Sequence, residues 1–367
     1  MEGSKIKDVV AYLESFAPSA YQESYDNAGL LVGDLNREVT GILVTLDCTE
    51  KVVMEAVERK CNLIVAHHPI VFKGLKKLTG RTYVERVVIS AIRNDVAIFA
   101  SHTNLDNVRL GVNKKIAEKL DLKNIRILAP RKDTLSKLVT FIPNESLEKV
   151  MNAVHEAGAG QIGEYKNCSF RVAGIGTFLP TEMAHPTIGT AGKQEKVNEV
   201  RVEVIFPTAL ERQIVSALKE SHPYEEVSYY INRVENENQE VGAGMVGELP
   251  APEEPIDFLK RLKSRMNVSV VKHTVPAAGS IRKVALCGGA GSFLLGEAIA
   301  SGADVYISSD FKYHEFFDAE GRIMIADVGH YESEQFTKEL FGEILTKKFT
   351  TFAINFSKTV TNPISYL

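Results

Sequence analysis

The chain has no tryptophan, only four cysteines, no block of like charge and no long apolar run. A membrane-crossing helix needs about 18 consecutive apolar residues, so no such span is expected. Cys48, Cys61, Cys168 and Cys287 are scattered without a CxxC pair, so neither a disulfide framework nor a thiolate zinc site is indicated. The formal net charge of −4 is evenly spread and argues against a dedicated nucleic-acid surface. The opening MEGSKIKDVVAYLESF carries charges throughout and lacks the unbroken apolar segment of a secretory signal, so a cytoplasmic location is expected. At 367 residues the chain is too long for one typical core, and two or three domains are expected.

What is present is organised around Asn62–Pro69, NLIVAHHP. Four apolar residues make a short buried strand with His67 and His68 at its carboxyl end, the edge where open α/β sheets bind ligands. Neighbours on a strand point to opposite faces, but at a frayed tip each imidazole can reach one of two closely spaced metal ions. Upstream, YDNAGLLVGD reads as a turn into a short strand, GILVTLD (41–47) as a strand, and TEKVVMEAVERK (49–60) as a helix with a Thr49 cap. That is a βαβ unit and implies parallel strands. Helix TYVERVVISAIRND, strand VAIFASHTNLD (96–106) and helix NKKIAEKLDL follow. The late part repeats the plan with KVALCGG, SFLLGEAIASG, ADVYISSD and RIMIADVGH. Laid over the early unit without gaps, His67 and His68 correspond to Ser309 and Asp310, so two related α/β halves are expected.

Between the halves the strands change from apolar runs to period-2 alternation, as in a sheet covered on one face. KLVTFIP, a helix through NESLEKVMNAVHEAG opening on Asn144, SFRVAGIGTF, NEVRVEVIFP, TALERQIVSALKES and EVSYYINRV follow in order. Tyr229 and Tyr230 read as residues of the last strand. This β-α-β-β-α-β order is the ferredoxin-like arrangement. Residues 131–245 are therefore expected as an inserted α+β domain splitting an α/β core of residues 1–130 and 246–367.

Four places gather imidazoles and carboxylates at predicted strand-to-loop edges: His67 with His68, His102 with Asp106, Asp310 with His314, and His330 with Glu334. The spacing of four in the last pair puts both side chains on one helical face if the helix starts at Tyr331, and the apolar spacing of SEQFTKELFGEIL suits holding that turn against the sheet. Each pair alone is more often structural; their shared placement is what polar packing explains poorly. The glycine-rich LCGGAGSF (286–293) matches neither the P-loop nor the dinucleotide fingerprint and reads as a tight turn rather than a phosphate cradle. His155, His185, His222 and His273 lie away from these motifs and read as structural or exposed.

HHP with downstream FKGLK, then SHTNLDNVRLGVN, SSDFKYHEFFDA and ADVGHYESEQF, in this order, resembles the NIF-three-like family, also catalogued as GTP cyclohydrolase I type 2 homologues. The resemblance covers residues 1–130 and 245–367 and extends to DNAGLLVGD. The middle region, including HPYEEV (222–227), resembles the PII/CutA-like insert of longer bacterial members. At 308–310 the chain has SSD where the family usually has TGD, which keeps Asp310. The resemblance implies two divalent ions: His67 and Asp106 on the first, His68 and His330 on the second, Glu334 bridging. Such a donor set suits zinc, iron, manganese or nickel better than calcium, without choosing among them. So few protein ligands leave open positions, as catalytic sites require, and a water between two such ions loses a proton near neutral pH. His102 or His314 could serve as general acid or base, and Lys73, Lys76 and Asp310 could meet substrate. The expected function is a metal-dependent hydrolase of a nucleotide or phosphorylated small molecule. The alternative is a non-catalytic metal-binding regulatory or scaffold protein whose insert senses a ligand or binds a partner. The resemblance also implies a toroidal homohexamer.

Overall fold

The apolar runs become short strands with almost no exposed residue. In the computed structural model, which describes residues 3–277 and 279–367, the first strands are β1 (Gly29–Val32), β2 (Gly41–Thr45), β3 (Leu63–Ala66), β4 (Ala97–Ala100) and β5 (Lys123–Arg131). Next come β6 (Leu135–Pro143), β7 (Phe170–Phe178), β8 (Glu195–Pro207) and β9 (Tyr229–Val234). The last are β10 (Asn238–Glu253), β11 (Lys272–His273), β12 (Ile281–Ala290), β13 (Val305–Ser309), β14 (Met324–Asp327) and β15 (Ala353–Phe356). The backbone divides into two units, one running to Pro130 and resuming at Glu240, the other spanning Arg131–Gln239. Among the described residues no helix is long and apolar enough to cross a membrane.

The first unit holds two sheets, ordered β1-β4-β3-β2-β15 and β11-β14-β13-β12-β10-β5. In one, β2, β3 and β4 are parallel, with Val44 opposite Val65 and Val65 opposite Phe99. In the other, β12, β13 and β14 are parallel, with Leu286 opposite Ile307 and Ile307 opposite Ala326. Parallel neighbours need a crossover, supplied by helices Glu50–Glu58, Tyr83–Arg93 and Leu295–Ala300. An antiparallel strand then flanks each third strand: β1 on β4, and β11 on β14. Alternate residues on a strand face opposite ways. Val44, Val65 and Phe99 share one core with Leu286, Ile307, Met324 and Phe341. Leu43, Ile64 and Ile98 pack instead on the helices through Val52, Val87 and Ala91. With both faces covered, β3, β13 and β14 expose nothing, which explains their uninterrupted apolar sequence.

The second unit runs β6, helix Leu147–Glu156, β7, β8, helix Glu211–Ser221, β9, with antiparallel sheet order β7-β8-β6-β9. Leu138, Val202, Val204 and Phe206 face Val150, Met151, Ile214 and Leu218 of the two helices.

Three local expectations change. The segment 96–106 is not one strand: β4 stops at Ala100 and Thr103–Asp106 winds into a helical turn. Asn104 Oδ1 takes the His102 N–H and Asp26 Oδ2 the Thr103 N–H, so side chains claim donors that a ladder would need. Asn144 lies in a 3₁₀ turn, and the helix behind it starts at Leu147 with no side-chain cap. The second unit ends at Gln239 rather than at 245. Residues 240–245 belong to the first unit because Arg109 N–H donates to the Glu240 carbonyl, Gly242 N–H donates to Asn107, and Met245 pairs with Leu286.

Glu55 ties the chain end to this frame. It accepts from Ser357 Oγ at 2.7 Å, from Lys358 N at 2.8 Å, and from Thr359 Oγ1 and N at 2.8 and 3.2 Å. Burial opposes its ionisation, but these donors outweigh it and hold its carboxyl down at about 2. A depressed folded-state value contributes stability above the unfolded-state value and loses it as pH falls. Glu55→Gln should therefore cost about 1–3 kcal/mol at pH 7. Chemical denaturation should show the difference shrinking between about pH 4.5 and pH 2; a pH-independent difference would contradict this account.

Candidate metal centre

The end of β3 turns through the Leu46 carbonyl, which accepts from both His67 N (3.1 Å) and His68 N (3.0 Å). Two donors on one acceptor end the regular pleat, so adjacent side chains no longer point apart, and the two rings lie 4.9 Å apart between centroids.

His67 is wholly buried, and its Nδ1 lies 2.9 Å from the Ser101 carbonyl. A carbonyl only accepts, so Nδ1 carries the proton and Nε2 presents a lone pair. Burial depresses the basicity of this ring and keeps it neutral. Nε2 faces Asp106 Oδ1 at 3.6 Å and Glu334 Oε1 at 3.7 Å, beyond hydrogen-bond range. His67 Nε2 and Asp106 Oδ1 are both buried without a hydrogen-bond partner.

Across Glu334 the pattern differs. Its Oε2 is 2.9 Å from His68 Nε2 and 3.2 Å from His330 Nε2. The far nitrogens are held by other carboxylates, His68 Nδ1 by Asp47 at 2.8 Å and His330 Nδ1 by Asp310 at 2.7 Å. Burial disfavours both cations, yet the flanking carboxylates raise His68 to about 10 and His330 to about 9. Burial alone would raise Glu334, whose side chain is 3% exposed, but the hydrogen bonds from its histidines hold it well below the ordinary range. Asp106 moves the other way, pushed up first by burial and then by the Glu334 charge.

His102 completes the cluster, with its ring 5.3 Å from those of both His67 and His68. Its Nδ1 is 2.8 Å from Asp26 Oδ1. Three groups offer donor atoms all within 4.8 Å of one another: His67, His68 and His102; His68, His330 and Glu334; His67, Asp106 and Glu334. Imidazole and carboxylate donors at such spacing fit a divalent transition metal.

The structure thus gathers His67, His68, His102, Asp106, His330 and Glu334, with Asp310 behind His330. His314 belongs to none of these groups; its short exposed turn, Tyr313–Ala319, is closed by Lys312 and Glu315, and its ring lies against Tyr313 and Phe317. Lys73 and Lys76 are exposed on the loop after Ile70, whose Phe72 ring lies 6.2 Å from His102. The first part of the glycine-rich stretch completes β12, and two of its amides already have side-chain partners: Gly288 N–H donates to Asn113 Oδ1 and Gly289 N–H to Ser333 Oγ. Gly289 has φ +63°, and a Cβ there would sit 2.3 Å from Glu334 Oε1.

Sequence reasoning missed Asp26, Asp47 and Gly289. Asp47 ends the strand beside β3, so the rule that singled out the histidines would have found it if applied to GILVTLD. Asp26 and Gly289 lie in DNAGLLVGD and LCGGAGSF, stretches that the sequence singles out, but their roles rest on contacts distant in sequence.

The protein is of mixed α/β class with several sheets, and it carries clustered His, Asp and Glu side chains able to hold a metal ion. It belongs to the Duf34/NIF3 (NGG1p interacting factor 3) family, whose profile matches residues 4–363. It is 38% identical over 371 residues to the GTP cyclohydrolase 1 type 2 homolog of Bacillus subtilis, covering 98% of each chain. The protein of the same name from Halalkalibacterium halodurans is 36% identical over 365 residues, again covering 98% of each. Among solved structures, a Bacillus cereus protein related to NIF3 superposes with a TM-score of 0.88 at 34% identity, over the whole of both chains.

Gly289→Ala should displace Glu334 and impose about 1–2 kcal/mol of left-handed backbone strain. Zinc retained after equilibrium dialysis, measured by mass spectrometry on folded protein, should fall; retention equal to wild type would mean that Glu334 takes no part in holding metal.

Proposed function

We propose that the chain is a dinuclear metal-binding protein and a metal-dependent hydrolase of a nucleotide or phosphorylated small molecule. The observation that carries this reading is the convergence of the His67 Nε2 lone pair and the oxygens of Asp106 and Glu334 without a hydrogen bond among them. Burying unpaired electron-pair donors together is costly, and a cation offsets that cost. His67 and Asp106 would hold one ion, His68 and His330 the other, and Glu334, with one oxygen toward each side, would bridge them. Zinc, iron, manganese and nickel all suit these donors.

When bound, such ions supply Lewis acidity and lower the pKa of coordinated water toward neutrality. Around them, Asp47 and Asp310 orient His68 and His330, a support that strengthens imidazole as a ligand. Asp26 fixes the His102 proton on Nδ1 and leaves Nε2 as the atom that takes or gives a proton at a reacting group. Lys73 and Lys76, on the exposed loop beside His102, would meet an anionic group of the substrate. The name GTP cyclohydrolase 1 type 2 homolog, carried by the relatives, makes a guanine nucleotide the first substrate to test.

On the same footing, we assign residues 131–239 as a ferredoxin-like, PII/CutA-like inserted domain, supported by its strand order. The shared four-strand run, β1-β4-β3-β2 in one sheet and β11-β14-β13-β12 in the other, supports duplicated halves in the core. We further assign a cytoplasmic homohexamer, for which size-exclusion chromatography with light scattering should give about six chain masses.

GTP and a panel of phosphoesters, assayed with manganese or zinc, should be turned over by the wild type. Glu334→Gln should lose at least about a hundredfold in kcat. Turnover unchanged in Glu334→Gln, or none in a wild type that retains its metal, would defeat the catalytic reading.

A further inference from the structure

The inserted unit contains a cavity of about 690 Å³, within the size range of metabolite sites. Its floor is the sheet face opposite the two helices, where Phe141 and Val172 flank Arg201 in register. Phe178, Tyr224 and the 179–188 segment form the walls. That segment is tied down by His185 N–H donating to Glu225 Oε1 and Thr187 Oγ1 donating to the Pro223 carbonyl, both at 2.8 Å.

Glu199 lines this largely apolar space while only 8% exposed. Tyr224 OH donates to its Oε1 at 2.8 Å, which fixes the carboxylate in place. Room for it comes from the neighbouring strand: a Cβ on Gly176 would lie 2.0 Å from Glu199 Oε2. Glu225 and Glu226 add two more acids to the lining, and its one cation, Arg201, is paired with Glu203 at 2.8 Å. A buried carboxylate is stabilised by an opposite charge, and aromatic faces attract cations.

We propose that this cavity is a binding site for an organic cation, an ammonium group carried on an apolar or aromatic body, with Glu199 receiving the charge. The site is independent of the metal centre and stands whether or not that centre is catalytic.

Isothermal titration calorimetry on the full chain with tryptamine, cationic at neutral pH, tests it against indole-3-propionate as an anion of similar shape. Tryptamine should bind below about 1 mM and the anion should not. Glu199→Gln should weaken tryptamine about tenfold or more. Val172→Lys, at a half-exposed lining position, should weaken it in the same direction without depending on a buried group. Metal content should be unchanged in both variants. Absence of tryptamine binding at about 1 mM, equal binding of the anion, or wild-type affinity in Val172→Lys would overturn the proposal.

Discussion

A carboxylate hidden from water has to be compensated, and the compensation of Glu334 sets much of the arrangement around it. Two of its neighbouring imidazoles come from the end of β3 and one from its own helical turn, so the two sheets must bring their strand ends together. Each supporting contact then follows. Asp47 and Asp310 hold the outer nitrogens of His68 and His330. Thr361 Oγ1 in turn donates to Asp47 Oδ2 at 2.6 Å, and Thr361 is placed by the Glu55 tether two residues earlier in the chain. A helix on one side of the frame thus helps to fix a carboxylate behind an imidazole at the centre. Gly289 leaves the space into which the Glu334 oxygen fits.

The two sides of Glu334 are electrostatically unlike. Toward His68 and His330, both ring nitrogens of each imidazole face carboxylates, so two protons per ring serve Glu334 Oε2, Asp47 Oδ1 and Asp310 Oδ2. Toward His67 this solution is closed, because the single proton of the neutral ring is committed to the Ser101 carbonyl. The oxygens of Asp106 and Glu334 on that side have no proton to share from His67, and burial adds to the cost. The raised pKa of Asp106 is the same conflict seen from the acid. Protons compensate one side of the cluster and leave the other as the place where a cation gains most.

Much of the frame was legible in the chain. LIVA and VYISS, short and apolar throughout, read as strands buried on both faces, and the alternation between residues 198 and 207 marked a sheet covered on one. His330 and Glu334, four apart, lie one turn apart because helical geometry allows little else. The remainder depended on contacts far apart in sequence. Nothing near Asp26 reveals that it faces His102, 76 residues away. SHTNLD reads as the end of a strand until Asn104 and Asp26 are seen to take its amide protons. The end of the inserted unit was misplaced by six residues because β10 runs without a break across the junction, and only its pairing partners change.

In both sheets of the core three parallel strands follow an antiparallel edge strand, β1-β4-β3-β2 in one and β11-β14-β13-β12 in the other, but they do not share a chemical role. At the tip of β3 the chain places His67 and His68, whose nitrogens face Glu334 directly. At the matching tip of β13 it places Ser309 and Asp310, and both act one step back. Ser309 Oγ donates to the Gly289 carbonyl at 2.5 Å, holding the backbone that makes room for Glu334, while Asp310 orients His330. Asp310 also sits at φ +59°, a strained conformation that short polar side chains tolerate best. Two parallel strand tips can therefore be used differently, one to present donor groups and one to fix the surroundings that aim them. A second pair of imidazoles at the β13 tip would remove the support for His330 and Gly289, so the chemical asymmetry of the two sheets follows from packing around a single shared carboxylate.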